Sequence, residues 1–321
     1  MNILITSAGQ RVSLVQAFQK ELKQYFPESK VLSVDLNPVL APACHVSDGY
    51  FQVSRVTDEN YIPALLELCI EQNIKLVVPT IDTELLVLSR YKSVFAEKGI
   101  TLLVSDFSFI EKCRDKRLTN HLFENYGINI PRQYTKENLQ YPVFAKPFDG
   151  SLSKGIFIAY SSSDIKAEHL NNEKLMFMQY ISPEAYDEFT VDCYFDRFSQ
   201  LKCVVPRKRI FVRAGEINKG VTKKNSIVRE FKNKLNFVEG AIGCLTVQVF
   251  CHKNTEEILG IEINPRFGGG YPLSYLAGAN YPRWCIQEYL LNEIVTDYDD
   301  WENNLLMLRY DAEVLVHDYE E

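Results

Sequence analysis

The chain has 321 residues, of which 46% are hydrophobic and 24% are charged, a composition that suits a globular protein of two or three domains. Its formal net charge of -7 disfavours a general nucleic-acid partner, because phosphate backbones require a basic surface, and no apolar run approaches the roughly 20 residues that a membrane span needs. The 8 cysteines are scattered without metal-ligand spacing, so we expect small core residues of a reducing compartment rather than disulfides.

The first hundred or so residues alternate short apolar runs with amphipathic stretches. Residues 1–6 are typical of a buried strand and lack the basic start and cleavage site of a signal peptide, which favours a cytoplasmic location. Further strands are predicted at 31–34 and 76–79, with one helix after the first strand and another at 61–70. This alternation predicts a parallel, Rossmann-like sheet.

A nicotinamide cofactor is disfavoured in this region. Asp35 ends the second strand, as a ribose-binding acid would, but the first turn holds a single glycine, Gly9, where the dinucleotide fingerprint requires three. Gln10 and Arg11, and the turn at 79–82, lie past strand ends, where ligands bind in such sheets. The residues leave open whether these loops contact a substrate or form plain surface.

The pattern changes near residue 105, which predicts a domain boundary there. Ser108 and Glu111 have the spacing of a capping box, which predicts that a helix begins at this point. Its apolar face includes Leu118 and Phe123, and we expect it to end at Gly127. Beyond this helix the chain is strand-rich to about residue 265.

A lysine, Lys146, lies in the short apolar strand predicted over 141–147. Burying its ammonium is costly without an anionic partner, and a nucleotide phosphate would supply one. The loop at 149–155 offers glycines and backbone amides that can fold over phosphates. It is not a P-loop, because Lys and Ser/Thr do not follow its second glycine, and a plain hairpin is equally compatible with it.

An apolar strand is predicted over 175–181, followed by an acidic stretch that contains Glu188. A short apolar segment between two subdomains can hold a purine ring and offer its backbone to the adenine edge. Glu188 would then accept hydrogen bonds from ribose hydroxyls. Taken alone, the stretch is also compatible with an ordinary core strand.

The most informative stretch is a predicted hairpin of two alternating strands, 245–250 and 258–264. Alternate residues of a strand share a face, so Glu262 and Asn264 project together. Folding the hairpin sets Gln248 across from Glu262. An incomplete set of oxygen ligands suits magnesium, which takes its remaining oxygens from phosphates and water.

The same hairpin has an apolar side and a basic end. Ile261 and Ile263 are expected to face the core, and Arg266 follows at the strand end, where a fixed guanidinium can meet a phosphate. An isolated Glu-x-Asn pattern would instead favour a polar strand face that is exposed to solvent. The matched Gln strand and the Pro-Arg-Phe-Gly-Gly-Gly continuation favour the metal site.

The order of these elements resembles the ATP-grasp superfamily, and more closely the branch of the carbamoyl phosphate synthase large chain and biotin carboxylase. The resemblance covers roughly residues 106–290. It implies an α/β and α+β fold, in which an N-terminal parallel Rossmann-like (pre-ATP-grasp) domain, 1–105, precedes a two-subdomain ATP-grasp fold. The small subdomain with a glycine-loop lid would span 106–182, and the C-terminal subdomain with the metal site and a terminal extension would span 183–321.

The resemblance also implies an ATP site. Two lysines would bind the phosphates, the glycine loop would close over them, a hinge after the apolar strand would hold adenine, and one glutamate would bind the ribose. The residues in these roles are Lys116, Lys146, Gly150, Ser151, Gly155, Gln179, Tyr180, Ile181 and Glu188.

The resemblance implies magnesium-dependent ligase chemistry. Gln248, Glu262 and Asn264 would hold two Mg²⁺ (or Mn²⁺) ions, and Arg266 and Lys146 would be catalytic. The expected reaction activates a carboxylate as an acyl phosphate for attack by an amine, a thiol or a similar nucleophile, releasing ADP and phosphate. Its partners would be small-molecule carboxylates and amines.

Substrate recognition has one basic candidate and one glycine-rich candidate. Arginines bind carboxylates and phosphates through paired hydrogen bonds, which makes Arg207, Arg209 and Arg213 candidates for the acid. Gly269, in a run of three glycines, would admit substrate close to the backbone. A solvated basic strand and a simple turn are the respective alternatives.

Two other functions remain open. The chain could act on bicarbonate or carbamate as a carbamoyl phosphate synthase-like subunit, with a partner, although it holds one synthetase unit only. It could also be a non-catalytic ATP-binding sensor, against which the complete metal-ligand set argues. The stretch from about residue 291 either covers a sheet edge or helps to form a homodimer.

Overall fold

The computed structural model describes residues 1–150, 155–213 and 215–319. Three sheets follow one another along the chain: a five-stranded sheet, a four-stranded sheet and a six-stranded sheet. The strands of the first sheet are parallel, and those of the other two are antiparallel. Among the described residues, no helix is both long and apolar enough to cross a bilayer.

The N-terminal sheet is a doubly wound parallel sheet, as the sequence predicts. Its strands are β1 (Asn2–Thr6), β2 (Val31–Asp35), β3 (Tyr50–Gln52), β4 (Ile74–Pro79) and β5 (Thr101–Leu102), in the order β3-β2-β1-β4-β5. The helices are α1 (Val12–Tyr25), α2 (Pro42–Val46), α3 (Tyr61–Glu71), α4 (Asp82–Arg90) and α5 (Lys92–Ala96), with a 3-10 turn at Pro38–Leu40. Ile3 and Ile5 pack against α1, whereas Leu4 packs on the opposite face.

The predicted capping box at Ser108 is wrong. Two short helices stand in place of one, α6 (Phe107–Arg114) and α7 (Lys116–Asn125). Helix α6 begins after Asp106, so Ser108 lies inside it. The helical conformation is interrupted at Asp115. The Asp115 side chain accepts a hydrogen bond from the backbone amide of Arg117 and thereby caps the N-terminus of α7. Because of this break, Leu118 points outward and is exposed, while Phe123 is buried.

The four-stranded sheet forms a small layer of its own. It consists of β6 (Gln133–Tyr134), β7 (Val143–Pro147), β8 (Phe157–Ala159) and β9 (Leu175–Gln179), in the order β6-β9-β7-β8. A 3-10 turn at Ser162–Asp164 and helix α8 (Ala167–Asn171) connect β8 to β9. Val143, Ala145 and Phe177 form its core.

The six-stranded sheet carries the long strands. These are β10 (Tyr186–Phe195), β11 (Leu201–Arg213), β12 (Glu216–Thr222), β13 (Gly243–His252), β14 (Ile258–Asn264) and β15 (Leu306–Leu308), in the order β14-β13-β10-β11-β12-β15. The remaining helices are α9 (Ser226–Lys234), α10 (Pro272–Leu276) and α11 (Tyr281–Tyr289). One face of the sheet packs on α7 and α9 through Phe123, Val204 and Phe231.

The N-terminal sheet and the six-stranded sheet share one hydrophobic core. Phe18 on α1 meets Phe267 with ring centroids 5.7 Å apart, and the same cluster contains Tyr281 and the fully buried Trp301. The carboxyl ends of β1 and β4 therefore lie over the six-stranded sheet. The domain limits at 105 and 182 remain predictions.

The C-terminal stretch covers a sheet edge, which is one of the two roles expected for it. Strand β15 pairs antiparallel with β12, through Leu308 opposite Lys219 and Leu306 opposite Val221. The predicted homodimer remains a prediction. The cysteines are free, and seven of the 8 are buried, which confirms their assignment to the core.

Candidate functional site

A cavity of about 720 Å³ lies between the three sheets, a size within the range of small-molecule sites. Its described lining is more basic than acidic, although the whole chain is acidic. The charged residues that line it are Arg11, Arg114, Lys116, Lys146, Arg207, Arg209 and Arg266 against Asp82, Glu188, Glu216 and Glu262. The cavity therefore favours anions.

The predicted metal ligands form one row on the cavity face of the β13–β14 hairpin. Gln248 lies directly across from Glu262, and Asn264 lies opposite Thr246. Asn264 donates from Nδ2 to Oε1 of Glu262 over 3.0 Å, which leaves its amide oxygen available to a cation. Among the described residues no three His, Cys, Asp or Glu side chains cluster as metal ligands, so a cation here would use two amides and one carboxylate.

The prediction that Ile261 faces the core is wrong. The pairing jumps from Gln248–Glu262 to Val249–Gly260, so Ile261 is the extra residue of a β-bulge. It therefore lines the cavity. Ile263 is buried in the core, as expected.

Lys146 is buried beside the metal row. Only 9% of its surface is exposed, and no carboxylate oxygen of the described residues lies within 4 Å of its ammonium. Burial lowers the pKa of Lys146 to about 8; Glu262 opposes this shift, and Lys116 adds to it. Lys116 lies 4.0 Å from Glu262 and donates to the carbonyl of Gly150 over 2.5 Å.

The rest of the predicted nucleotide site lies mostly in the same cavity. Gln179, Tyr180, Ile181 and Gly150 line it, together with apolar side chains of the four-stranded and six-stranded sheets, namely Phe144, Ile156, Ile158, Met178 and Phe250. Gly155 is not among the lining residues. Ser151 lies outside the described residues, so the lid remains a prediction.

Glu188, which we expected to bind ribose, and Arg209, which we expected to bind the substrate, form an ion pair. Phe189 pairs with Lys208 across β10 and β11, which sets the two side chains next to each other on the cavity face. Nε of Arg209 lies 3.2 Å from Oε1 of Glu188. Burial and the nearby Glu262 raise the pKa of Glu188, and Arg209 lowers it.

Arg207 forms a buried ion pair with a carboxylate of the protein. Its Nε and Nη2 donate to the two carboxylate oxygens of Asp192 over 2.7 and 2.9 Å. The residue is 1% exposed, and Nη1 is buried without a partner among the described residues. Arg207 therefore shapes the cavity wall instead of offering a free guanidinium.

The structure does not bring Arg213 to the cavity. Register shifts on either side of Phe211 turn the end of β11 outward, so residues 210–213 are all exposed. Arg213 there forms an exposed ion pair with Asp311. The sequence pattern placed Arg213 in the same basic stretch as Arg207 and Arg209 but did not show this change of direction.

Gly269 makes room for a protein carboxylate. A Cβ at this position would lie 2.0 Å from Oε1 of Glu216. Glu216 lines the cavity at this point and accepts hydrogen bonds from Arg11 and from Arg309, each over 3.2 Å. The space that we expected a substrate to use is thus occupied by Glu216.

Arg266 is held by the N-terminal sheet. Its Nε and Nη2 donate to Oδ2 of Asp82 over 3.1 and 2.7 Å, and Asp82 is the first residue of α4, directly after the loop that ends β4. The roles of Asp82, Glu216 and Arg309 were missed. The signal for Asp82 and Arg11 was their position past strand ends, which is compatible both with a substrate contact and with plain surface.

Family profiles match two separate parts of the chain. The profile of PylC-like N-terminal domains matches residues 3–103. A profile described as ATP-grasp in the biosynthetic pathway with Ter operon matches residues 171–309. Comparison with curated proteins gave no match.

Similar solved structures cover most of the chain at low sequence identity. The biotin carboxylase domain of Hydrogenobacter thermophilus 2-oxoglutarate carboxylase, with MgADP and bicarbonate, is 14% identical at a TM-score of 0.69, over 95% of this chain and 73% of that one. Staphylococcus aureus N5-carboxyaminoimidazole synthetase complexed with ADP is 17% identical at 0.67, over 96% and 79%. Rhizobium etli pyruvate carboxylase is 12% identical at 0.66, over 87% of this chain; the chain spans 27% of that enzyme's length.

The three sheets enclose the cavity and define a Rossmann-like domain followed by two antiparallel layers. Residues 171–309 thus match an ATP-grasp family and residues 3–103 match a PylC-like N-terminal domain, and the chain shares its fold with a biotin carboxylase domain. This confirms the resemblance and the predicted fold class.

Proposed function

We propose that this chain is an ADP-forming ligase that uses MgATP to activate a carboxylate and joins it to an amine or a thiol. One observation carries the proposal. The oxygen-bearing row of Gln248, Glu262 and Asn264 shares a cavity with Lys146, a buried ammonium that has no carboxylate within 4 Å among the described residues.

The residues present fit a magnesium–nucleotide ligand. Carboxylate and amide oxygens are the donors that Mg²⁺ prefers, and an incomplete protein set leaves positions for phosphate oxygens and water. Lys146 fits because a bound phosphate would supply the anion that burial of an ammonium requires. Residues 179–181 line the cavity next to apolar side chains, which suits a purine. Two ions, and Mn²⁺ in place of Mg²⁺, are part of the proposal.

The chain would contribute positioning and charge neutralisation, which dominate phosphoryl transfer. When bound, MgATP supplies the γ-phosphoryl group that makes the acid an acyl phosphate. Lys146 and Lys116 would neutralise phosphate oxygens, and Arg266, fixed by Asp82, would stabilise charge that develops on the transferred group. Glu188 would bind the ribose next to Arg209. No side-chain nucleophile is required.

The acid and the acceptor are the open part of the proposal. Bicarbonate is a candidate acid, because the similar 2-oxoglutarate carboxylase domain was solved with MgADP and bicarbonate. Small carboxylates and amino acids are the other candidates. A carbamoyl phosphate synthase-like role with a partner, and an ATP sensor without turnover, are the competing functions that the assay must separate.

The test is release of ADP and phosphate from MgATP by the full chain, against pools of amino acids, small carboxylates and bicarbonate, each with and without amines and thiols. We expect one pool to stimulate release at least tenfold. Glu262→Gln keeps the shape of the side chain but removes its charge, and we expect it to abolish that stimulation. Glu71→Gln, on an exposed residue at the end of α3, is the matched control.

The possible outcomes separate the candidate functions. Stimulation that survives in Glu262→Gln contradicts the assigned metal row. Tight MgATP binding without stimulation by any pool favours the sensor or a partner-dependent enzyme. Absence of MgATP binding contradicts the proposal as a whole.

A further inference from the structure

Arg11 lies at the end of the cavity nearest the N-terminal sheet, and most of its N–H donors make no hydrogen bond to the described residues. It follows β1 and directly precedes α1, its side chain is 18% exposed, and it lines the cavity. Nη1 donates to Oε1 of Glu216 over 3.2 Å. The Nε and Nη2 groups have no hydrogen-bond partner among the described residues. A guanidinium has five N–H donors, so most of them remain available to a ligand.

Three other arginines of the lining each make at least two polar contacts to the protein. Arg266 gives two hydrogen bonds to Asp82 and one to a backbone carbonyl. Arg207 gives two to Asp192. Arg209 contacts a carboxylate, a hydroxyl and a carbonyl. These contacts fix the three guanidiniums in place, whereas Arg11 keeps most of its donors unused.

The surroundings of Arg11 carry more positive than negative charge. Burial lowers the pKa of Arg11, and the neighbouring guanidiniums of Arg266 and Arg309 lower it further, against the opposing effect of Glu216 and Asp82. Three guanidiniums thus share two carboxylates, and each carboxylate is already hydrogen-bonded to an arginine. A further anion would relieve this excess.

This positive region is separate from the phosphate-binding region. Arg11 contacts Glu216 at the start of β12, whereas the metal row lies on β13 and β14, and two strands, β10 and β11, lie between β12 and β13 in the sheet. We therefore place an anion bound by Arg11 apart from the phosphates of the nucleotide. It also differs from the carboxylate at the reaction centre, which must reach the metal row.

We propose that Arg11 binds a second anionic group of the substrate, a carboxylate or a phosphate, so that the ligase acts on a molecule with an anion in addition to the carboxylate that it activates. This inference rests on the proposed function. Glu216, which is held between Arg11 and Arg309, positions the guanidinium for this contact. Dicarboxylates, acidic amino acids and phosphorylated acids or amines share the required chemistry.

The direct test is binding to the full chain saturated with MgADP, measured by isothermal titration calorimetry. The probes are dicarboxylates from malonate to adipate, each matched with a monocarboxylate of equal length, and phosphoserine matched with serine. We expect one doubly anionic probe to bind at least tenfold more tightly than its match. Arg11→Gln should erase that difference, and the dicarboxylate and phosphate pairs show which anion is preferred.

Two control variants separate direct contact from an indirect effect. Arg213→Gln removes an exposed guanidinium outside the cavity and should leave binding unchanged. Arg309→Gln removes the other partner of Glu216 without touching the lining and should keep most of the preference. Equal losses in Arg11→Gln and Arg309→Gln, or equal binding of matched probes by the native chain, would overturn the proposal.

Kinetics provide a second readout, which separates this inference from the proposed function. With the stimulating substrate, Arg11→Gln should raise its KM at least tenfold and leave kcat and the KM for MgATP within a few-fold, while Arg11→Lys restores part of the loss. A singly anionic acid that turns over as well as its doubly anionic match, and that depends on Glu262, would support the ligase and refute the second anion site. Failure of MgATP to bind would refute the ligase, and repeating the titration without nucleotide would still test Arg11.

Discussion

Replacing Lys146 with methionine should make the ligand-free protein more stable while it removes nucleotide binding. The ammonium is 9% exposed, and its nearest carboxylate among the described residues belongs to Glu262, more than 4 Å away. Methionine has a similar length and no charge, so the variant keeps the packing and removes the desolvated charge. The proposed phosphate contact of Lys146 would explain why the native chain tolerates this loss of stability.

The magnitude follows from the lowered pKa. A fall of the Lys146 pKa from 10.5 to about 8 corresponds to roughly 3 kcal/mol at 1.36 kcal/mol per pKa unit. Below pH 8 both states of the chain carry the proton, so the whole cost is present. Between pH 8 and 10.5 the unfolded chain binds more protons than the folded one, so the native free energy of unfolding rises with pH.

The measurement is thermal unfolding of the ligand-free native chain and of Lys146→Met at pH 7 and pH 9.5. Allowing for structural relaxation around the charge, we expect a gain of about 1–3 kcal/mol and a Tm that is about 2–6 °C higher at pH 7. The gain should shrink at pH 9.5. Lys98→Met, on an exposed lysine, should change neither value.

The response to MgADP completes this prediction. MgADP should raise the Tm of the native chain and of Lys98→Met but not that of Lys146→Met, because mass action stabilises only a chain that binds. Binding to the native chain at pH 8.5 should also take up protons, since phosphates return the Lys146 pKa towards its ordinary value; calorimetry in buffers of different ionisation enthalpy measures this uptake. A lower Tm for ligand-free Lys146→Met at pH 7 would refute the argument.

Two further predictions concern stability. Gly269→Ala places a methyl group 2.0 Å from Oε1 of Glu216, so the free energy of unfolding should fall by about 1–3 kcal/mol in chemical denaturation; an unchanged value would mean that the Glu216 contact is dispensable. Asp192→Leu leaves the buried Arg207 without its partner and should cost about 3–5 kcal/mol, whereas Asp311→Leu, in the exposed ion pair, should leave the denaturation midpoint unchanged. Similar losses in both variants would contradict the role of burial.

Features that depend on local periodicity could be predicted from the sequence. The alternation of β13 and β14 placed Gln248 opposite Glu262, and the pairing confirms it. Lys146 was expected in a short apolar strand, and it is buried there. These predictions succeeded because the side-chain period of a strand is fixed at two residues, so neighbouring strands of a hairpin determine each other's facing residues.

Features that depend on contacts between distant segments could not be predicted. Arg207 is one of several basic residues on its strand, and only the folded chain shows that Asp192 binds it. The outward turn of Arg213 follows from register shifts in β11, which leave no mark in the hydrophobic pattern. The break between α6 and α7 depends on Asp115, which caps α7. The sequence also contains a capping-box pattern at Ser108, and nothing in the pattern alone shows which of the two begins a helix.

The N-terminal domain contributes side chains to the wall of the cavity. Asp82 fixes Arg266, and Arg11 meets Glu216, so the two ion pairs join residues about two hundred positions apart. Arg266 lies two residues beyond Asn264 of the metal row. A shift of the N-terminal sheet would therefore move the Arg266 guanidinium, to which the proposed mechanism gives a role in phosphoryl transfer, whereas a change at Arg11 would leave the Asp82–Arg266 pair in place. Because the two sheets share the core around Phe18, such a shift must deform packed side chains, so we expect the end of the cavity that holds Arg11 and Arg266 to be rigid.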